Sequence, residues 1–90
     1  MAGLTDGAGT GVRAVVEVLA KALTDRPDDV RVTESQHKHK TLIELFVASS
    51  DLGKLIGRQG RTAAALRTLA ATAGEKEGKS VTLEIRDGKR

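Results

Sequence analysis

The residues best suited to chemistry in this chain lie between Gly53 and Arg61, where the sequence runs Gly-Lys-Leu-Ile-Gly-Arg-Gln-Gly-Arg. Gly57 and Gly60 flank Arg58 and Gln59 in a GxxG spacing. A glycine has no Cβ, so another backbone can approach closely and unusual dihedrals cost little. Two glycines around two polar residues make a tight turn that presents several N–H groups. A helix predicted from about Arg61 aims its unpaired N–H groups and positive dipole end the same way. Arg58 and Arg61 add charge and can fork onto phosphate oxygens, and Lys54 supplies a third cation. The result is a shallow cradle for a sugar–phosphate backbone. Three cations meeting the phosphates of a single strand would give a salt slope of about −2. The spacing alone says little, since chance supplies such a pair in a chain with ten glycines among 90 residues. Its context says more: the pair joins two predicted helices, follows an apolar strand and is bracketed by basic residues. The competing reading is a plain helical corner with glycine caps. A P-loop is excluded because GxxxxGK followed by Ser or Thr is absent, and a dinucleotide fingerprint because the glycines fall at 53, 57 and 60.

Elsewhere the inventory is thin. No cysteine is present, which removes disulfides, thiolate nucleophiles and cysteine-ligated metals. No His lies on an apolar face near a Ser or Asp, so the chain reads as a non-enzyme without cofactor. His37 and His39, with Lys38 and Lys40, could share a metal, add phosphate contacts or form a solvated hairpin tip; no third ligand is evident. Asp28 and Asp29 follow Pro27 as turn residues. One aromatic, Phe46, rules out a binder that stacks several bases on an aromatic sheet. The net charge is +3, from 15 basic and 12 acidic residues. Leu52 to Ala73 holds Lys54, Arg58, Arg61 and Arg67 and no acid, so the whole excess sits in that stretch. Local positive potential attracts polyanions even when the total charge is small. No apolar run is long enough for a membrane span, and no basic region precedes an apolar stretch at the N-terminus. A cytoplasmic protein without a membrane partner is expected.

The elements that must hold these residues can be read from periodicity. Residues 1–11 are glycine-rich and read as a mobile tail. Val12, Val15, Val16, Leu19, Ala20 and Leu23 recur at helical steps, so a helix is predicted from about Gly11 to Thr24, ended by Pro27. Asp29 to Glu34 alternates as a half-buried strand. Ser35 to Lys40 is predicted as a polar loop, and Thr41 to Ala48 as the central strand. Ser49, Ser50 and Asp51 offer N-caps for a short helix, Leu52 to Ile56, closing at a left-handed Gly57. After Gly60 a second helix should run to Ala73, with Leu66, Leu69, Ala70 and Ala73 on one face and Gly74 as its stop. Val81, Leu83 and Ile85 alternate in a last strand, with a loose tail over 87–90. The first two strands should pair antiparallel. The third returns through helices, so it lies parallel to the second. One domain over residues 12–86 is expected, of class α+β: order α-β-β-α-α-β, a three-stranded mixed sheet with three helices on one face.

Leu55-Ile56-Gly57-Arg58-Gln59-Gly60-Arg61 resembles the signature of KH domains, and the element order resembles their type II, bacterial arrangement. From about Val12 to Ile85 the chain is similar to the KhpA family of small bacterial single-KH proteins. The likeness extends to Lys21-Ala22-Leu23, Val30-Arg31-Val32-Thr33-Glu34, Leu52-Gly53-Lys54, Ala65-Leu66-Arg67 and Glu77-Gly78-Lys79. It implies binding of single-stranded RNA in a groove for about four nucleotides. The clamp would fall on Gly57, Arg58, Gln59 and Gly60, with Lys54 and Arg61 beside it and Ile56 lining the groove. It further implies an RNA chaperone that pairs with a second KH protein (KhpB, or Jag), acts in cell elongation and envelope homeostasis, and self-associates as a homodimer. Two other readings stand beside it: a protein-interaction module with little RNA affinity of its own, and a single-stranded DNA binder. Two positions depart from expectation. Thr62 stands where relatives often carry Ile. Phe46 lies out of phase with Ile43, Leu45 and Val47, so it points away from the helices, either to a partner or as a surface apolar group.

Overall fold

The computed structural model describes residues 11–58 and 60–88. Residues 1–10 of the expected tail over 1–11, Gln59, and residues 89 and 90 lie outside the described residues, while Gly11 is the N-cap of the first helix. In chain order the elements are α1 (Val12–Leu23), β1 (Arg31–His37), β2 (Lys40–Val47), α2 (Ser49–Gly53), a π turn over Lys54–Arg58, α3 (Gly60–Lys76) and β3 (Ser80–Asp87). The sheet order is β1-β2-β3, with β1 antiparallel and β3 parallel to the central β2. The α-β-β-α-α-β order and the mixed sheet are those expected.

Strand alternation in β2 builds the core. Thr41, Ile43, Leu45 and Val47 are buried, while Leu42, Glu44 and Phe46 take the opposite face. Against the buried row lie Val12, Val16 and Ala20 of α1, Ala63, Leu66 and Ala70 of α3, Leu83 and Ile85 of β3, and Leu55. Phe46 faces away from the helices, yet it is half-buried rather than exposed. It pairs across the sheet with Arg31 and Arg86, and the Arg31 guanidinium lies 4.9 Å from its ring centroid.

α1 has the expected extent, with Gly11 and Thr24 as its caps, and the backbone N–H groups that follow, of Asp25 and Arg26, donate to the Asp51 carboxylate at 2.9 and 3.1 Å. Several boundaries differ from the sequence reading. Pro27 instead opens a 3-10 turn, Pro27–Asp29. The polar stretch 35–40 is not a loop. Ser35, Gln36 and His37 pair with Leu42, Thr41 and Lys40, and the turn is only Lys38 and His39, with Lys38 at φ 52°. Polarity misled here because these side chains bond to one another: the Thr41 hydroxyl donates to Gln36 at 3.0 Å, and the Ser35 hydroxyl lies 3.0 Å from His37 Nε2.

Gly74 is not a stop signal. α3 runs through it to Lys76, and the left-handed residue beyond the end is Gly78, at φ 73°. Gly74 is glycine because α3 packs closely on β3; a Cβ there would come within 2.3 Å of Val81 Cγ2. Leu69, on the expected apolar face, is 46% exposed, while Ala63 is buried. Asp87 is no loose tail: it pairs with Val47, its carboxylate oxygens lie 2.9 and 2.8 Å from the Ser49 hydroxyl, and the next N–H, of Gly88, donates to the Val47 carbonyl.

Candidate nucleic-acid interface

The GxxG segment is carried by a helical corner that leaves β2 at Val47. Helix α2 begins at Ser49, earlier than expected, with Ala48 in the N-cap position and no side-chain cap. The three residues expected to cap it lie inside its first turn, and two of them reach other elements. Ser49 bonds to Asp87. Asp51, 1% exposed, gives both carboxylate oxygens to the backbone of the α1–β1 connection. That carboxylate staples α2 to the chain that precedes the sheet, a role its capping residue type masked.

The short helix does not close at Gly57. It widens at Lys54 into a π turn that runs to Arg58, a departure from α geometry that recurs at functional sites. Two neighbours divide the work of this turn. Leu55 is 1% exposed and anchors it in the core, whereas Ile56 is 51% exposed beside the glycines. Ile56 is thus an apolar side chain left largely in water.

Gly57 itself is informative. Among the described residues the positive-φ glycine is Gly78, so Gly57 does not take the left-handed conformation expected of it. Among the described residues, a Cβ built on Gly57 would meet nothing within 4 Å beyond its own turn, and the same holds for Gly53. Neither backbone conformation nor packing against the described residues asks for glycine at position 57. The left-handed cap that the corner reading expects is thus absent at Gly57.

The cations are not equivalent. Arg61 is exposed in the first turn of α3, and Arg67 is exposed further along it. Lys54 is engaged within the chain: its ammonium pairs with the Asp25 carboxylate and lies 3.9 Å from Asp51 Oδ1. The acid-free stretch seen in the sequence is thus offset at one position by two carboxylates, both from outside it. Arg61 stands in the first turn of α3, next to the end of the loop, where a helix start carries unpaired N–H groups and positive dipole character.

A second surface lies nearby. Leu19 and Leu23 of α1 and Arg61, Thr62, Ala65, Leu66 and Leu69 of α3 line an apolar groove. Thr62, at the position where a larger residue was expected, is half-buried in its wall. His37 and His39 sit at the hairpin end, and among the described residues no group of three His, Cys, Asp or Glu side chains could hold a metal ion. No helix of the described residues is long and apolar enough to cross a membrane.

An α-β-β-α-α-β sandwich with a mixed sheet and a GxxG segment between its second and third helices defines a type II KH domain. Residues 13–85 match the family model described as KhpA/KhpB, KH domain, and the chain belongs to that family. It is similar to the RNA-binding protein KhpA of Halalkalibacterium halodurans, with 49% identity over 76 residues, 84% of this chain and 100% of that one. The RNA-binding protein KhpA of Aquifex aeolicus is 49% identical over 84% of this chain and 96% of its own. That of Caldanaerobacter subterraneus subsp. tengcongensis is 51% identical over 79% and 95%. No solved structure matches the chain significantly.

Proposed function

We propose that this chain binds single-stranded RNA, with the backbone held by Gly57, Arg58, Gln59 and Gly60, phosphates met by Arg58 and Arg61, and a base resting against Ile56. Gly57 carries this reading. A glycine that neither φ nor packing against the described residues requires, set in a π turn before a long helix, keeps room for a backbone from outside the chain. The names of the relatives, RNA-binding protein KhpA, point the same way. Sequence preference should be low, because phosphate contacts position a strand without reading it and no aromatic platform adjoins the loop. Family membership supports a KhpB-like KH partner and, through it, an RNA-chaperone role in cell elongation and envelope homeostasis for a cytoplasmic, non-catalytic protein spanning residues 12–86.

With Lys54 held by Asp25, two cations rather than three face the phosphates. The logarithm of affinity should then fall with log salt at a slope of about −1.4, roughly seven-fold between 50 and 200 mM. Fluorescence anisotropy of a labelled single-stranded RNA across a salt series reads this directly, and a matched DNA oligomer in parallel separates an RNA binder from a general single-strand binder. A slope near zero contradicts the proposal.

The apolar groove between α1 and α3 favours a second role beside the first. Leu23 and Leu69 leave nearly half their surface in water there, which suits a protein partner, including a second copy, better than a nucleotide. RNA binding that appears only after a KH partner is mixed in would make that role the primary one.

A further inference from the structure

We infer that Asp25 is a built-in attenuator of RNA affinity: its carboxylate withholds Lys54 from the phosphate backbone. This rests on the RNA-binding reading above and adds a tuning residue outside the motif. Lys54 opens the π turn that ends at Arg58, so it stands one turn from the glycine loop on the segment that would meet the strand. Its ammonium instead turns to the α1–β1 connection and pairs with Asp25. The pair is prepared in advance. The Asp25 backbone N–H donates to Asp51 Oδ1 at 2.9 Å, which fixes the chain that carries the carboxylate. Asp51 is the weaker partner of Lys54: its two oxygens already accept backbone N–H groups, and Oδ1 lies 3.9 Å from the ammonium.

The pair is not there for stability. The Asp25 side chain is 73% exposed and that of Lys54 38%, and ion pairs so open to water contribute little to folding. What the pair changes is the count of cations free to displace counterions from a nucleic acid. Each such cation adds about 0.7 to the salt slope on a single strand. Removing the Asp25 carboxylate returns Lys54 to the basic face of the loop and raises that count by one.

The test is RNA anisotropy across a salt series with wild type, Asp25→Ala, Lys54→Gln, the Asp25→Ala/Lys54→Gln double variant and Asp28→Ala, each checked by thermal melting. Asp28→Ala removes the same charge from the neighbouring turn. Asp25→Ala should steepen the slope from about −1.4 to about −2.1 and raise affinity roughly five-fold near 0.1 M salt. Lys54→Gln and the double variant should keep the wild-type slope, as should Asp28→Ala. Should Asp25→Ala melt below the assay temperature, Asp25→Asn carries the same test. An unchanged slope in the Asp25 variant overturns the inference. So does a shallower slope in Lys54→Gln, which would mean that Lys54 already meets phosphate, or an equal gain in Asp28→Ala, which would assign the effect to net charge. A wild type with no salt-dependent binding fails at the earlier step, the RNA-binding reading itself.

Discussion

At the scale of single residues, Gly57 and Asp51 show opposite relations between type and role. Gly57 is open toward the described residues, so its replacement separates folding from binding. Gly57→Ala should leave stability unchanged or raise it by up to about 1 kcal/mol, since alanine loses less backbone entropy in a helical turn. The same change should weaken RNA binding about ten-fold or more, the worth of one N–H bond to a charged phosphate. Paired urea unfolding and RNA titrations read both. A destabilised Gly57→Ala variant would restore the helical-corner reading. Asp51 is the converse, a polar side chain whose work is internal. Asp51→Ala leaves the N–H groups of Asp25 and Arg26 without their acceptor and should cost about 2–4 kcal/mol. For a chain of this size that lowers Tm by roughly 10 °C or more, measured by circular dichroism. The glycine spacing was visible in the sequence. The job of Asp51 was not, because Ser-Ser-Asp before a helix has the same composition whether it caps that helix or reaches 25 residues back. The partner of Lys54 was hidden for the same reason, since Asp25 meets it only through the fold.

At the scale of elements, periodicity located the helices and strands but misjudged how several of them end. Gly74 is the instructive case. A glycine after an apolar helical stripe looks like a stop, yet here it is the point where α3 touches Val81 of β3, a contact invisible without the fold. Gly74→Ala should therefore destabilise the domain by about 1–2 kcal/mol, overpacking outweighing the gain in helix propensity. Val81→Ala in the same chain should recover part of that loss, with a coupling of about 1 kcal/mol in a double-mutant cycle of urea melts. Stabilisation by Gly74→Ala alone would contradict the close packing. The hairpin shows the reverse error. Ser35, Gln36 and His37 look like loop residues by composition, but their hydrogen bonds to Thr41 and to one another let a polar stretch stay in register. The π turn had no warning in the sequence beyond a glycine placed where an α-helix would gain nothing from it.

At the scale of the whole molecule, the fold was legible because connection lengths leave few options: two strands joined tightly must pair antiparallel, and a third returning through two helices must lie parallel. The interface was half legible. Charge concentrated between Leu52 and Ala73 pointed to a candidate basic face, but counting cations along the chain could not reveal that Asp25 offsets one of them. The apolar groove was hidden too, since Leu69 fits the helical stripe of a core residue yet lies 46% exposed in the groove between α1 and α3. The central claim is that the GxxG corner is a binding site and not a structural bend. Its most direct test is RNA anisotropy of wild type against the double variant Arg58→Asp/Gln59→Asp, with thermal melts of both. Salt-sensitive binding by the wild type, lost in a variant that melts at the same temperature, is the predicted result. Equal binding by both, or a variant that loses binding only as it unfolds, would contradict it.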